Sequence, residues 1–267
     1  MTNTPIWLER TALLIGDDSI ELLKNLNVLV VGLGGVGSFA AEFIARAGVG
    51  KITIVDGDVV DITNTNRQLP ALHSTVKQSK ALLMRDRLMD INPSLELTTI
   101  NQFLNPEDTI RVVNEQAYDY VLDCIDSITP KLNLIKAAKN RGCKVISSMG
   151  AGGKIDSMRI QYADISRTYM CPFAYYIRKR LRKEGIENGV MAVFSDETPN
   201  RESIKVTDGT NFKKSFYGTI SYIPALFGLN MASWVIRDAC GTFVETKLCK
   251  PKSSKFTNLQ DNTEPEQ

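Results

Sequence analysis

The string GLGGVG at residues 32–37 supplies Gly32, Gly34, Gly35 and Gly37, bare backbone that phosphate oxygens can approach closely. Asp56 follows about twenty residues on, the separation at which an acid meets a ribose hydroxyl in nucleotide-binding βαβ units. Arg67 ends a stretch rich in Asn and Asp, where its planar fork could clamp a phosphate or lie in solvent as part of a surface turn. Lys80 could reach back over the same nucleotide, or be an ordinary solvated helix lysine. Asp123 and Asp126 close an apolar run; beside a triphosphate a carboxylate there would hold Mg²⁺, and otherwise the pair would cap the next helix. These residue types suit a bound nucleotide with its metal. The alternative is a glycine turn that merely packs a helix on a sheet.

Positioning such groups requires strands that end at one edge. Residues 28–31 are short, apolar and β-branched, a buried strand. A helix is expected over 38–47, stopped by Gly48 and Gly50, then a second buried strand over 52–55 that ends on Asp56. Periodicity predicts a helix over 74–92 ended by Pro93, a strand over 95–100, a helix over 106–117, a strand over 118–125, a helix over 130–141 and a strand over 143–148. A second glycine-rich turn follows at 149–153. This alternation predicts an α/β fold: a doubly wound, largely parallel, Rossmann-like sheet with ligands at its carboxyl edge.

The flanks read differently. Trp7, Leu8, Leu13, Leu14 and Ile15 precede the first strand, and an arm this apolar must bury against its own domain or a partner subunit. Residues 21–26 suggest a short helix and 154–165 an extended segment. Over 171–184, Phe173, Ile177 and Leu181 share one helix face, with Arg178, Lys179, Arg182 and Lys183 opposite. Such a stripe tracks a nucleic-acid backbone or is a solvated face. A strand is expected over 190–195 and a mobile polar loop over 200–215. The apolar stretch 217–236 is broken by Ser221, Pro224, Asn230 and Ser233, so it reads as a buried or interface helix with no membrane span. The expected organisation is an arm at 1–27, a nucleotide-binding core at 28–165, a substrate-side region of the same domain at 166–245, with additional strands and helices, and a disordered tail at 246–267.

A net charge of +2 does not demand a nucleic-acid partner, though its local distribution can. The N-terminal residues lack the apolar core of a signal peptide. The five cysteines are scattered and odd in number and none forms CxxC, so neither a zinc ribbon nor a disulfide framework is indicated, which suits a reducing cytoplasm.

In order and spacing, GLGGVGS at 32–38, VDGD at 55–58, TNTNRQ at 63–68, Lys80 and LDCIDS at 122–127 resemble the E1-like adenylating superfamily, over roughly residues 7–165. The resemblance implies that Asp56 binds ribose, Asn66 and Arg67 contact phosphates, Lys80 neutralises an ATP triphosphate and Asp126 holds Mg²⁺. It matches Arg10 to an arginine that enters the partner subunit's ATP site, and so implies a homodimer. MGAGGKID at 149–156, VFSDETP at 193–199 and GTISYIPALFG at 218–228 look like the tRNA threonylcarbamoyladenosine dehydratase branch, through about residue 240. Two departures stand out. The paired CxxC zinc motifs usual in sulfur-carrier-activating branches are absent, and Met170-Cys171-Pro172-Phe173-Ala174 replaces the branch's usual Asn-Asp-Pro-Leu-Ala. Cys171 and Cys240 are the cysteines that region singles out, Cys171 reading best as a small buried residue.

That branch implies ATP-dependent adenylation of the threonyl carboxylate of a modified adenosine beside the tRNA anticodon, then intramolecular ring closure. Sulfur-relay partners and a monovalent cation near the second glycine turn are open within it. Three rival readings share parts of the pattern. One is adenylation of a ubiquitin-like sulfur carrier's C-terminus. Another is an NAD-dependent oxidoreductase, which the glycine turn and Asp56 alone would allow. The third is a module that holds ATP without turning it over.

Overall fold

The computed structural model describes residues 4–206 and 215–244. The tail expected at 246–267, residues 207–214 of the loop expected at 200–215, and Cys249 lie outside the described residues.

Seven strands form one sheet: β1 (Asn27–Val31), β2 (Lys51–Val55), β3 (Glu96–Ile100), β4 (Tyr120–Asp123), β5 (Lys144–Ser148), β6 (Ile160–Asp164) and β7 (Val190–Ser195). Their order is β3-β2-β1-β4-β5-β7-β6. All neighbours are parallel except β6, which runs antiparallel to β7 at the edge. The extended segment expected over 154–165 is thus a 3-10 turn followed by a reversed edge strand. The order reverses between β1 and β4, and in doubly wound sheets a ligand crevice opens at that point.

Side chains of one buried strand alternate between two cores. Val28 and Val30 join the cluster under α3 (Gly37–Arg46), α4 (Lys80–Ile91) and α8 (Tyr222–Ala239); Leu29 and Val31 join the other, under α5 (Pro106–Glu115), α6 (Ile128–Arg141) and α7 (Pro172–Lys183). The stretch expected to be a buried or interface helix is α8. It lies against α3 so closely that a Cβ on Gly228 would overlap the Val36 carbonyl oxygen. Among the described residues no helix is long and apolar enough to cross a membrane.

Two elements depart from periodicity. The helix expected over 74–92 begins only at Lys80, because the Val60 N–H donates to Gln78 O, the Lys77 N–H donates to Val60 O, and the Ser79 side chain caps Leu82 N. Within the loop expected over 200–215 the chain instead makes β8 (Ile204–Val206), which pairs antiparallel with β9 (Ser215–Tyr217). The arm forms α1 (Glu9–Ile15) and α2 (Asp17–Asn25); α2 buries Ile20 and Leu23, whereas α1 has no fully buried residue and only Ile15 packs partly on the core.

Candidate active site

The first glycine turn leaves β1 at the crevice. Gly32 has φ +91°, and its missing Cβ would stand 3.0 Å from the Cys124 carbonyl oxygen, so the turns after β1 and β4 touch. At Gly37 a Cβ would overlap the Gly32 carbonyl oxygen, and only glycine closes the turn onto α3. Asp56 braces it from below: the Leu33 N–H donates to Oδ2 at 2.6 Å and the Asp58 N–H to Oδ1 at 2.7 Å. Burial pushes the Asp56 carboxyl up, opposed by the Leu33 N–H and Lys80. Each oxygen keeps a lone pair for a hydroxyl donor.

The loop after β2 folds over the turn. Arg67 packs on Gly35, its Cγ 3.5 Å from a Cβ built there, and its guanidinium donates to Thr63 O at 2.9 Å and Asn66 Oδ1 at 2.8 Å. Asn66 in turn donates to Thr219 O at 2.9 Å, just ahead of α8. Burial lowers the Arg67 pKa and the Asp126 charge raises it, so the two lie within electrostatic reach. Lys80 is no solvated lysine: it is 4% exposed and its ammonium sits 3.0 Å from Asp58 Oδ2. Starting α4 at this residue aims it at the crevice.

The two aspartates at the end of β4 separate. Asp123 is fully buried and pairs with Lys131 Nζ at 2.6 Å; Ser147 Oγ also donates to it at 2.6 Å. Burial pushes its carboxyl up and the Lys131 ammonium pulls it back. Its other oxygen accepts from Ile125 N at 3.1 Å, shaping the loop that carries Asp126. Asp126 is exposed, so of the two it is the carboxylate open to a metal. Among the described residues no cluster of three metal-ligating side chains occurs. One carboxylate with substrate phosphates and water is an ordinary Mg²⁺ environment, so the donor set fits a metal that arrives with a nucleotide.

Gly32, Gly34, Gly35, Gly37, Asp56, Asn66, Arg67, Lys80 and Asp126 thus converge on one crevice. Arg10 does not join them. It is exposed on α1, whose preceding Leu8 packs on Gly48 at the opposite, amino end of the sheet. On α7, Lys179, Arg182 and Lys183 are exposed as expected, and so is Arg180, which the stripe reading omitted. Arg178 corrects that reading: its guanidinium turns inward to Thr168 O at 2.9 Å and Ile165 O at 3.4 Å.

Sequence reasoning also missed Asp58, Lys131 and Thr219, and a buried lysine at the second glycine turn. Lys154 is 2% exposed and donates to Gly150 O at 2.7 Å and Ser195 O at 3.4 Å. Burial lowers its pKa. A monovalent cation at this turn would have to find other oxygens. Cys171 is buried 4.0 Å from Lys154 Nζ, and Cys240 caps the far end of α8.

Sheet order, glycine turn and cationic carboxyl edge define the class: a nucleotide-binding α/β protein of the E1-like adenylating type. The ThiF family model matches residues 8–265, and the chain belongs to that family. It is 44% identical to the tRNA threonylcarbamoyladenosine dehydratase of Bacillus subtilis, over 91% of this chain and 98% of that protein. The crystal structure of the E. coli tRNA N6-threonylcarbamoyladenosine dehydratase in complex with ATP superimposes with a TM-score of 0.79 at 34% identity, covering 90% of this chain and 98% of that one. The E. coli molybdopterin-synthase adenylyltransferase is 35% identical, over only 66% of this chain and 69% of its own.

Proposed function

We propose that this protein is an ATP-dependent tRNA-modifying dehydratase that converts N6-threonylcarbamoyladenosine to its cyclic form. The observation that carries the reading is the match along 98% of the Bacillus subtilis dehydratase, second half included, where the E. coli molybdopterin-synthase adenylyltransferase matches over 69% of its own length.

The chemistry follows from charge. A carboxylate must attack the α-phosphorus of ATP, and two anions meet only where cations and preorganised donors offset their repulsion. Backbone N–H groups of the first glycine turn, Arg67 and Lys80 supply them, with Asn66 on a phosphate and Asp56 on the ribose. Asp126 would hold Mg²⁺, which would neutralise charge on the departing pyrophosphate. The carboxylate oxygen bonds to phosphorus as pyrophosphate leaves, giving an acyl-adenylate. A heteroatom of the same side chain then attacks the acyl carbon and loses its proton, and AMP departs with the oxygen. Because closure is intramolecular, no enzymic nucleophile is needed, and the buried cysteines need no role.

Arg10 acts across a homodimer in this reading. Leu13 and Leu14 on α1 are 83% and 84% exposed, an apolar face that a second copy would cover. The exposed cations of α7 contact tRNA, and the enzyme works in the cytoplasm, where ATP and tRNA are. Pyrophosphate release is the test, measured with bulk tRNA and with a purified sulfur carrier. Release with tRNA alone is expected; release only with the carrier, or an NADH signal in place of it, rejects the proposal. Mass spectrometry of anticodon-loop nucleosides from cells lacking the protein should show the cyclic nucleoside replaced by its open form.

A further inference from the structure

The outer face of α7 carries a groove of about 230 Å³ lined by Tyr175, Arg178, Lys179 and Arg182. These positions are spaced i, i+3, i+4 and i+7, so they form one continuous strip. Tyr175 is 51% exposed. Two neighbours hold its ring. The Tyr176 ring meets it edge-on at 5.6 Å, and the Arg178 guanidinium lies 5.9 Å from its centroid. Arg178 is itself fixed by Thr168 and Ile165, so its inward turn braces the tyrosine. The braced ring thus presents about half its surface to water, and beside it stand the exposed cations Lys179 and Arg182.

The helix that carries the strip begins near the active-site edge. Phe173, two residues before Tyr175, packs with its Cβ 3.3 Å from a Cβ built on Gly150, just past the carboxyl end of β5. From Tyr175 to Arg182 the helix rises about 10 Å, enough for one or two nucleotides of backbone.

We propose that this groove seats one unpaired base of the RNA, stacked on the Tyr175 ring, with its flanking phosphates on Lys179 and Arg182. The inference rests on the tRNA reading above and goes beyond it by naming a base-stacking residue. Bases next to an anticodon are unpaired, and single-stranded RNA is held by aromatic stacking beside cations that follow its backbone. Charge favours the same occupant: every ionisable group lining the groove except the tyrosine is cationic.

The test is a fluorescence titration, without ATP, of an anticodon stem–loop RNA carrying 2-aminopurine beside the target adenosine. Wild-type protein quenches the probe on binding. Tyr175→Ala loses the quench and binds about fivefold to a hundredfold more weakly, the range for one lost base–aromatic stack, while Tyr175→Phe and Tyr175→Trp retain both. Affinity for ATP and the thermal midpoint stay unchanged in all three. A second arm needs no variant: a stem–loop with an abasic site in place of the probe base binds wild-type protein as weakly as the intact RNA binds Tyr175→Ala. Equal wild-type affinity for intact and abasic RNA, or unaltered binding by Tyr175→Ala, overturns the stacking site and leaves the tRNA reading standing. No stem–loop binding by wild-type protein at any salt concentration overturns both. Binding of polyglutamate that Lys179→Glu/Arg182→Glu abolishes, with RNA binding intact, assigns the groove to an acidic protein and overturns the proposal.

Discussion

At the residue scale, Asp123 at the end of β4 and Asp126 in the loop after it divide their duties. Asp126 is exposed on the crevice, so Asp126→Ala should abolish pyrophosphate release while leaving the thermal midpoint where it was; sustained turnover would remove it from the site. Asp123 is spoken for by Lys131. Because both side chains are fully buried, Lys131→Met would strand a carboxylate in the interior and should cost about 3–5 kcal/mol in denaturant unfolding. A loss under about 1 kcal/mol would mean that the carboxylate is protonated or finds water instead. Lys80 teaches a related lesson. Six residues of expected helix are unwound by the pairing of Val60 with Lys77 and Gln78, and that shift moves Lys80 from mid-helix to the first position, where it meets Asp58.

Between elements, the tie with the clearest pH signature joins α3 to α4. Glu42 lies on α3 and is 7% exposed; Arg87 on α4 reaches it at 2.5 Å and Arg46 at 2.8 Å. Burial alone would raise the Glu42 pKa, but the arginine hydrogen bonds outweigh it and the pKa falls. A lowered folded-state pKa means stability that is present above the unfolded value of about 4.3 and lost as the pH falls through the folded one. Glu42→Gln should therefore cost about 1–3 kcal/mol at pH 7 and progressively less below about pH 4. A penalty independent of pH in melts from pH 7 to 3 would place the effect in packing. On α7 the expectation concerns binding. Arg182→Glu should weaken tRNA by about tenfold and lower the salt slope by about 1, with ATP affinity unaltered; a salt-independent affinity would make the stripe a solvated face.

The whole molecule leaves Arg10 far from the crevice of its own chain and exposes α1. If the arm completes a partner's site, Arg10→Ala and Asp126→Ala are each inactive alone yet complement. Mixed subunits re-form one intact site in half of the dimers, so pyrophosphate release should return to about a quarter of the wild-type rate. No recovery after verified subunit exchange would confine Arg10 to its own chain or remove it from catalysis.

What could be read without coordinates was local. β-branched runs, glycine positions and helix-period spacing depend on sterics within a few residues, and they sufficed for the parallel sheet, the first glycine turn, the Asp56 strand end and the amphipathic α7. Partner choice was a different matter. Asn66 finds Thr219 across 153 residues, Lys131 finds Ser147, Arg178 turns to Thr168 and Lys80 to Asp58, and none of these pairings leaves a periodic trace. A lysine or arginine looks the same in a string whether solvated or enclosed. The tertiary structure decides, because the cost of burying a charge is offset only by whichever donors and acceptors the fold brings to it.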